Sequence, residues 1–233
     1  MKKAKKVVAL ALCAVLLVVG SVTGTMAYLT SQDEVVNTFT VGNVNIILDE
    51  YDYDSSKTDV NENSNEGRDS KNEYKLIPGK TYPKDPMVTV LPNSESSYVR
   101  MIVTISDLAD LKAACGVAAD ADFLPQNFVQ GWDPTKWKTT NIIKVDGDTA
   151  TYEFRYYTTV STGNNKLELE KLFTSFTMPS TANNAQMAAL DELQIDVKAH
   201  AIQADGFTAT DDKTAEQVAW DAFDKQMTPV TGN

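Results

Sequence analysis

Tyr98-Val99-Arg100-Met101-Ile102-Val103-Thr104-Ile105 is the stretch that decides the fold. Val99, Met101, Val103 and Ile105 fall on every second position, with Tyr98, Arg100 and Thr104 on the alternate ones, and a period of two belongs to a strand with one buried face. The pattern recurs on both sides of this stretch. Val44, Ile46 and Leu48 alternate with Asn43, Asn45 and Asp49, and Tyr152, Phe154, Tyr156 and Val160 oppose Glu153 and Arg155. Leu193, Ile195, Val197, Ala199 and Ala201 oppose Gln194, Asp196, Lys198 and His200. Four amphipathic strands already require a sheet with a covered face.

Shorter runs extend the list. Met87–Leu91 lies between Pro86 and Pro92, Asn141–Val145 meets the Tyr152 strand across Asp146-Gly147, and Leu167–Phe173 precedes the loop at Pro179. An Asp-Gly pair between strand-like runs is a strong hairpin signal, because both residues tolerate positive φ. Helical spacing is confined to two places. Leu108, Leu111 and Cys115 recur within Ser106–Gly116, and Ala215–Phe223 follows a capping box made by Thr214 and Gln217. Seven or eight strands with so few helices predict a mainly all-β chain, a jelly-roll-like antiparallel β-sandwich with short helices.

The first 27 residues follow different rules. Lys2, Lys3, Lys5 and Lys6 precede an apolar run from Val7 to Val19 and a small-residue end at Ala27, the layout of a secretory signal peptide cut between Ala27 and Tyr28. Thirteen apolar residues fall short of the roughly 20 that span a bilayer, so export is expected rather than a retained anchor. A lipoprotein reading at Cys13 fails on the bulky Leu12 before it. Removing residues 1–27 takes four lysines and no acids, which changes the formal net charge from −11 to −15. A surface so acidic repels nucleic acid and keeps monomers soluble. The remaining 206 residues, 28–233, form one expected domain, with no linker dividing them.

Cys115 is the sole cysteine of that mature chain, so no intramolecular disulfide is available, and a buried structural thiol is expected. Residues 50–75 carry Asp52, Asp54, Asp59, Glu62, Glu66, Asp69 and Glu73 among Asn and Ser, a composition that predicts a flexible acidic loop. An EF-hand register begun at Asp59 puts Ser64 where the loop needs Gly and Ser70 where it needs Glu. No calcium site is assigned.

Catalysis has no visible anchor. His200 is the only histidine, too few for H-E-x-x-H zinc chemistry, and it is placed on the polar face of its strand as an exposed or edge side chain. There is no G-x-S-x-G elbow and no glycine-rich phosphate loop. Trp132 and Trp137 flank Asp133-Pro134 as a conceivable sugar-stacking pair, against the commoner use of Trp in packing. Thr228-Pro229-Val230-Thr231-Gly232 echoes a sortase signal but has no apolar segment after it. No catalytic residue, metal ligand or cofactor is assigned.

Ala27-Tyr28-Leu29-Thr30 followed by Asn37-Thr38-Phe39-Thr40-Val41-Gly42-Asn43-Val44 resembles the start of the TasA/camelysin family of secreted Gram-positive proteins. Weaker likenesses are Pro78-Gly79-Lys80, Ser97-Tyr98-Val99-Arg100 and the run from Ala199 to Phe207. The acidic loop departs from the family pattern. The resemblance implies processing by a SipW-type signal peptidase and an extracellular fibre subunit of the biofilm matrix that polymerises by donor-strand complementation. Residues 28–41 would be the donor strand, with Val35, Phe39 and Val41 spaced for alternate pockets. Self-association is the implied partnership, with an accessory or anchor subunit as a further one. The alternatives are a self-complete monomer, a non-polymerising surface or anchoring protein, and the metalloprotease activity attached to camelysins.

Overall fold

The computed structural model describes residues 30–33, 43–53, 67–190 and 192–227. The proposed signal peptide, the Ala27–Tyr28 junction and the side chains expected to mark the donor strand, Val35, Phe39 and Val41, lie outside these. So do residues 54–66 of the acidic stretch.

The described chain is an all-β antiparallel sandwich with three short helices. Its largest sheet has the order β1-β12-β6-β9-β8, built from β1 (Thr30–Asp33), β12 (Ile195–Gln203), β6 (Ser97–Ile105), β9 (Thr149–Tyr156) and β8 (Trp137–Asp146). A second sheet runs β10-β5-β2-β3, with β10 (Leu167–Glu168), β5 (Met87–Val90), β2 (Ile46–Tyr51) and β3 (Arg68–Asp69). A third joins β4 (Thr81–Pro83), β11 (Ser175–Thr177) and β7 (Val129–Gln130). The chain passes between the second sheet and the large one at β5 to β6 and at β9 to β10, and from the third sheet to the large one at β11 to β12.

The alternation in β6 maps directly onto the core. Val99, Met101, Val103 and Ile105 are all buried, opposite Ala201, Ala199, Val197 and Ile195 on one side. On the other side Met101, Val103 and Ile105 face Phe154, Tyr152 and Ala150. Alanine on β12 beside the longer Val99 and Met101 lets the layers interdigitate at native density. Val44, Ile46, Val88 and Val90 complete the core from the second sheet. The hairpin between β8 and β9 turns at Gly147-Asp148, one residue later than the Asp146-Gly147 expectation, since Asp146 pairs with Thr149. Gly147 takes φ 59, and glycine at the first turn position is what a type II′ hairpin requires.

Helix α1 (Leu108–Ala114) and helix α3 (Ala215–Met227) stand where helical spacing put them. Thr214 N donates to Gln217 Oε1 at 2.8 Å and Gln217 N to Thr214 Oγ1 at 3.2 Å, the reciprocal capping box. The short helix α2 (Asn184–Ala189) has no apolar stripe and escaped the sequence reading; its signal was another capping box, at Asn183 and Gln186. The strand expected over Leu167–Phe173 contracts to β10. Leu169, Leu172 and Phe173 are buried beyond it by irregular backbone, with Leu169 N bonded to Val88 O and Leu172 N to Pro86 O.

The ends of the acidic stretch are built into the sandwich. Glu50 continues the inward series of Ile46 and Leu48, 8% exposed, and Lys84 Nζ donates to its Oε2 at 2.8 Å. Asn72 Nδ2 bonds Glu50 Oε1 and Tyr51 O, and its Oδ1 accepts from Tyr53 N. Arg68 pairs with Asp49 and Asp85, and Lys171 reaches Asp85 at 2.7 Å. Composition placed Glu50 at the start of a flexible acidic loop. Fixed cations brought from 17 to 86 positions away make the burial of these carboxylates affordable, which no local pattern contains.

Asp85 supplies a pH prediction. Burial alone would raise its carboxyl, but the Lys171 hydrogen bond, the Tyr51 N–H and the Arg68 charge outweigh it, and the group lies below the usual carboxylate range. A carboxyl depressed on folding contributes stability that is present above its unfolded pKa of about 3.9 and lost as pH falls through the lower folded value. Asp85→Asn is therefore expected to lower stability at pH 7 by about 1.5–3 kcal/mol, the range for hydrogen bonds to charged groups. Its deficit against wild type should shrink below pH 4, as read by thermal melts at both pH values.

Candidate functional site

Backbone geometry selects the β12 edge of the large sheet. β1 comes from the N-terminal stretch and pairs, among the described residues, with β12 alone, Thr30 opposite Ile202, Ser31 opposite Ala201, Gln32 opposite His200 and Asp33 opposite Ala199. The described ladder therefore covers only the second half of β12. Beyond it lie Val197, Ile195 and, just before the strand, Leu193, all half-buried against the core. Antiparallel partners point to the same side, so these share the inward face of Ala199 and Ala201.

Beneath this edge a groove of about 1440 Å³ opens between the two main sheets. Leu48, Tyr74 and Leu76 line one wall, and Leu193, Ile195 and Val197 the other. Its rim is charged, with Asp49, Arg68, Lys71 and Asp196. An apolar floor beside a strand edge offers pockets for alternate side chains.

On the opposite face of the same strands, helix α3 covers a compact ionic cluster. Arg100 is 5% exposed, its guanidinium 4.4 Å from the Trp220 ring centroid and 5.1 Å from that of Phe223. It pairs with Glu153 at 3.1 Å and with Asp224 of α3, while Arg155 Nε donates to Glu153 at 3.0 Å. His200 was expected at an exposed or edge position. It is instead 8% exposed, stacks on Phe223 at 4.8 Å, and accepts the Arg100 Nε hydrogen bond at Nδ1. Alternation assigned it correctly to the outer face, but α3 is what covers that face. Ile202, Ala219, Trp220 and Phe223 form a small core there, separate from the main one.

The remaining sequence candidates resolve into structure. Trp137 is fully buried, donating to Glu170 O, and Trp132 donates to Trp137 O while packing edge-on against Phe154. The two indoles are held in packing and hydrogen bonds rather than presented as a stacking platform. Cys115 is half-buried, and burial pushes its thiol up to about 11, which leaves little thiolate at neutral pH. Among the described residues no group of three or more His, Cys, Asp or Glu side chains is arranged to hold a metal, and no helix is long and apolar enough to cross a membrane. Compared with protein-family models, with curated proteins and with solved structures, the chain finds no match.

Proposed function

We propose that this is a secreted structural subunit that polymerises into extracellular fibres by lending its N-terminal strand to a neighbour once the signal peptide is cut after Ala27. The observation that carries the reading is β1. It is a four-residue strand, paired among the described residues with β12 alone, and it begins three residues after the proposed cut. A strand held on one side near a chain end is the element most cheaply exchanged between copies, because the intermolecular contact repeats the intramolecular one. While residues 1–27 remain attached, the strand is tethered; cleavage frees it. A head-to-tail exchange of this kind does not close and so grows a filament. The TasA/camelysin resemblance of residues 27–44 points the same way, toward the matrix outside a Gram-positive cell and a SipW-type peptidase as processing partner.

Negative-stain electron microscopy of the chain beginning at Tyr28, beside the full-length form, tests this. Filaments are expected from the cleaved form alone. Cleaved protein that stays monomeric by sedimentation at high concentration would remove the reading.

A further inference from the structure

We propose that Lys84, Glu50 and Asn72 form a self-acting cross-linking site, in which the Lys84 amine displaces ammonia from the Asn72 carboxamide and leaves an isopeptide bond between the two side chains. The bond is independent of fibre assembly.

One buried carboxylate holds both reacting groups. Lys84 Nζ donates to Glu50 Oε2 at 2.8 Å and to Oε1 at 3.1 Å, and Asn72 Nδ2 donates to the same Oε1 at 3.0 Å. Sharing that oxygen keeps the amine and the amide nitrogen within about 6 Å of each other. The flexible four-carbon lysine stem supplies the remaining approach to the about 3–3.5 Å from which attack begins. Asn72 is clamped on its other sides, with Oδ1 accepting from Tyr53 N at 2.6 Å and Nδ2 donating to Tyr51 O at 2.8 Å. Its carbonyl oxygen thus faces a fixed backbone N–H and its nitrogen faces the carboxylate, the orientation that acyl transfer uses. Glu50 and Lys84 are 8% and 5% exposed, and the Tyr74 ring centroid lies 5.9 Å from Lys84 Nζ, so little bulk water reaches the pair.

Each atom has a place in the reaction. The nucleophile is the neutral amine, and proton transfer along the hydrogen bond to Glu50 Oε2 produces it. Nζ then bonds Asn72 Cγ, and the charge that develops on Oδ1 is held by the Tyr53 N–H. Glu50 gives its proton to Nδ2 across the Oε1 contact, the Cγ–Nδ2 bond breaks, and the electron pair leaves on ammonia. The second surplus proton of Nζ passes through the same carboxylate to the ammonia, which departs as ammonium. A lysine ammonium and a carboxamide become a secondary amide and an ammonium ion, with nothing oxidised or reduced. The product closes residues 72–84 into a covalent loop and fastens residues 71–77, which have no regular secondary structure, to the connection between β4 and β5. A cross-link of this kind restricts the unfolded chain.

Mass spectrometry of the purified full-length chain tests the assignment, because an ion pair alone changes no mass. The intact chain should weigh less than its sequence by one ammonia. Trypsin does not cut after an acylated lysine, so the digest should contain residues 72–75 joined to residues 81–100 through Lys84. Separate peptides 72–75, 81–84 and 85–100 at full mass would overturn the proposal. Loss of ammonia without the joined peptide would place the change in an Asn72 succinimide and overturn it equally. Lys84→Arg and Asn72→Ala should each restore the full mass, and Glu50→Gln, which keeps an oxygen at the site but removes the base, should leave the chain unlinked. A joined peptide in folded Glu50→Gln, checked by far-UV circular dichroism, would remove Glu50 from its role; if these variants do not fold, the wild-type digest decides by itself.

Discussion

A chain that begins at Val44 is expected to form no filaments under conditions where the chain beginning at Tyr28 forms them. The truncation removes the whole proposed donor strand and only β1 from the described sandwich. The first residue of the described main core is Val44 itself, so the sheets and their packed interior are retained. Loss of β1 costs the few main-chain hydrogen bonds of four residue pairs, each worth about 0.5–1.5 kcal/mol net. The truncated protein should therefore keep a cooperative thermal transition and near-native far-UV circular dichroism. The measurement is paired: microscopy for filaments and melting for fold. Filaments from a folded Val44 form would show that assembly uses some other surface, whereas an unfolded one would show that β1 is an integral strand. A synthetic peptide of residues 28–41 added to the Tyr28 form should slow elongation by occupying the same edge.

Arg100→Ala is the substitution with the largest expected effect on stability. Arg100 joins three strands and a helix: it accepts the faces of Trp220 and Phe223, holds Asp224 of α3, and shares Glu153 with Arg155. Removing one partner of a buried ionic network costs about 3–5 kcal/mol, a large part of the 5–15 kcal/mol that keeps a domain folded. The loss should concentrate on α3, whose apolar contacts form a core separate from that of the sandwich. Trypsin cleavage after Lys213 and Lys225 should accelerate well before the sheets melt. Arg100→Lys keeps the charge without the planar fork and should recover only part of the loss. Equal protease resistance in Arg100→Ala and wild type would show that α3 docks without this cluster.

The two ionic clusters mark the boundary of sequence reading. Period-two alternation located β2, β6, β9 and β12 because each strand carries its buried face in its own residues, and the flanking Pro86 and Pro92 marked β5. Capping boxes and helical spacing did the same for α1 and α3. His200 and Glu50 were misjudged for a shared reason: the partner that makes each burial tolerable is remote. Arg100 lies 100 positions from His200, and Lys84 lies 34 from Glu50. The small third sheet was missed as well. Its strands are two or three residues long, too short to show a period, and it is held by Tyr82 stacked on Phe176 with Phe128 beside them.

For this protein the sequence alone determined the fold class, the inward faces of the main strands and the N-terminal segment on which a functional reading rests, because those properties are written in local spacing. Which edge β1 meets and in what register were decided only by the tertiary structure. They depend on β12 and β6 lying side by side in one sheet, a long-range pairing that no local stretch of residues carries.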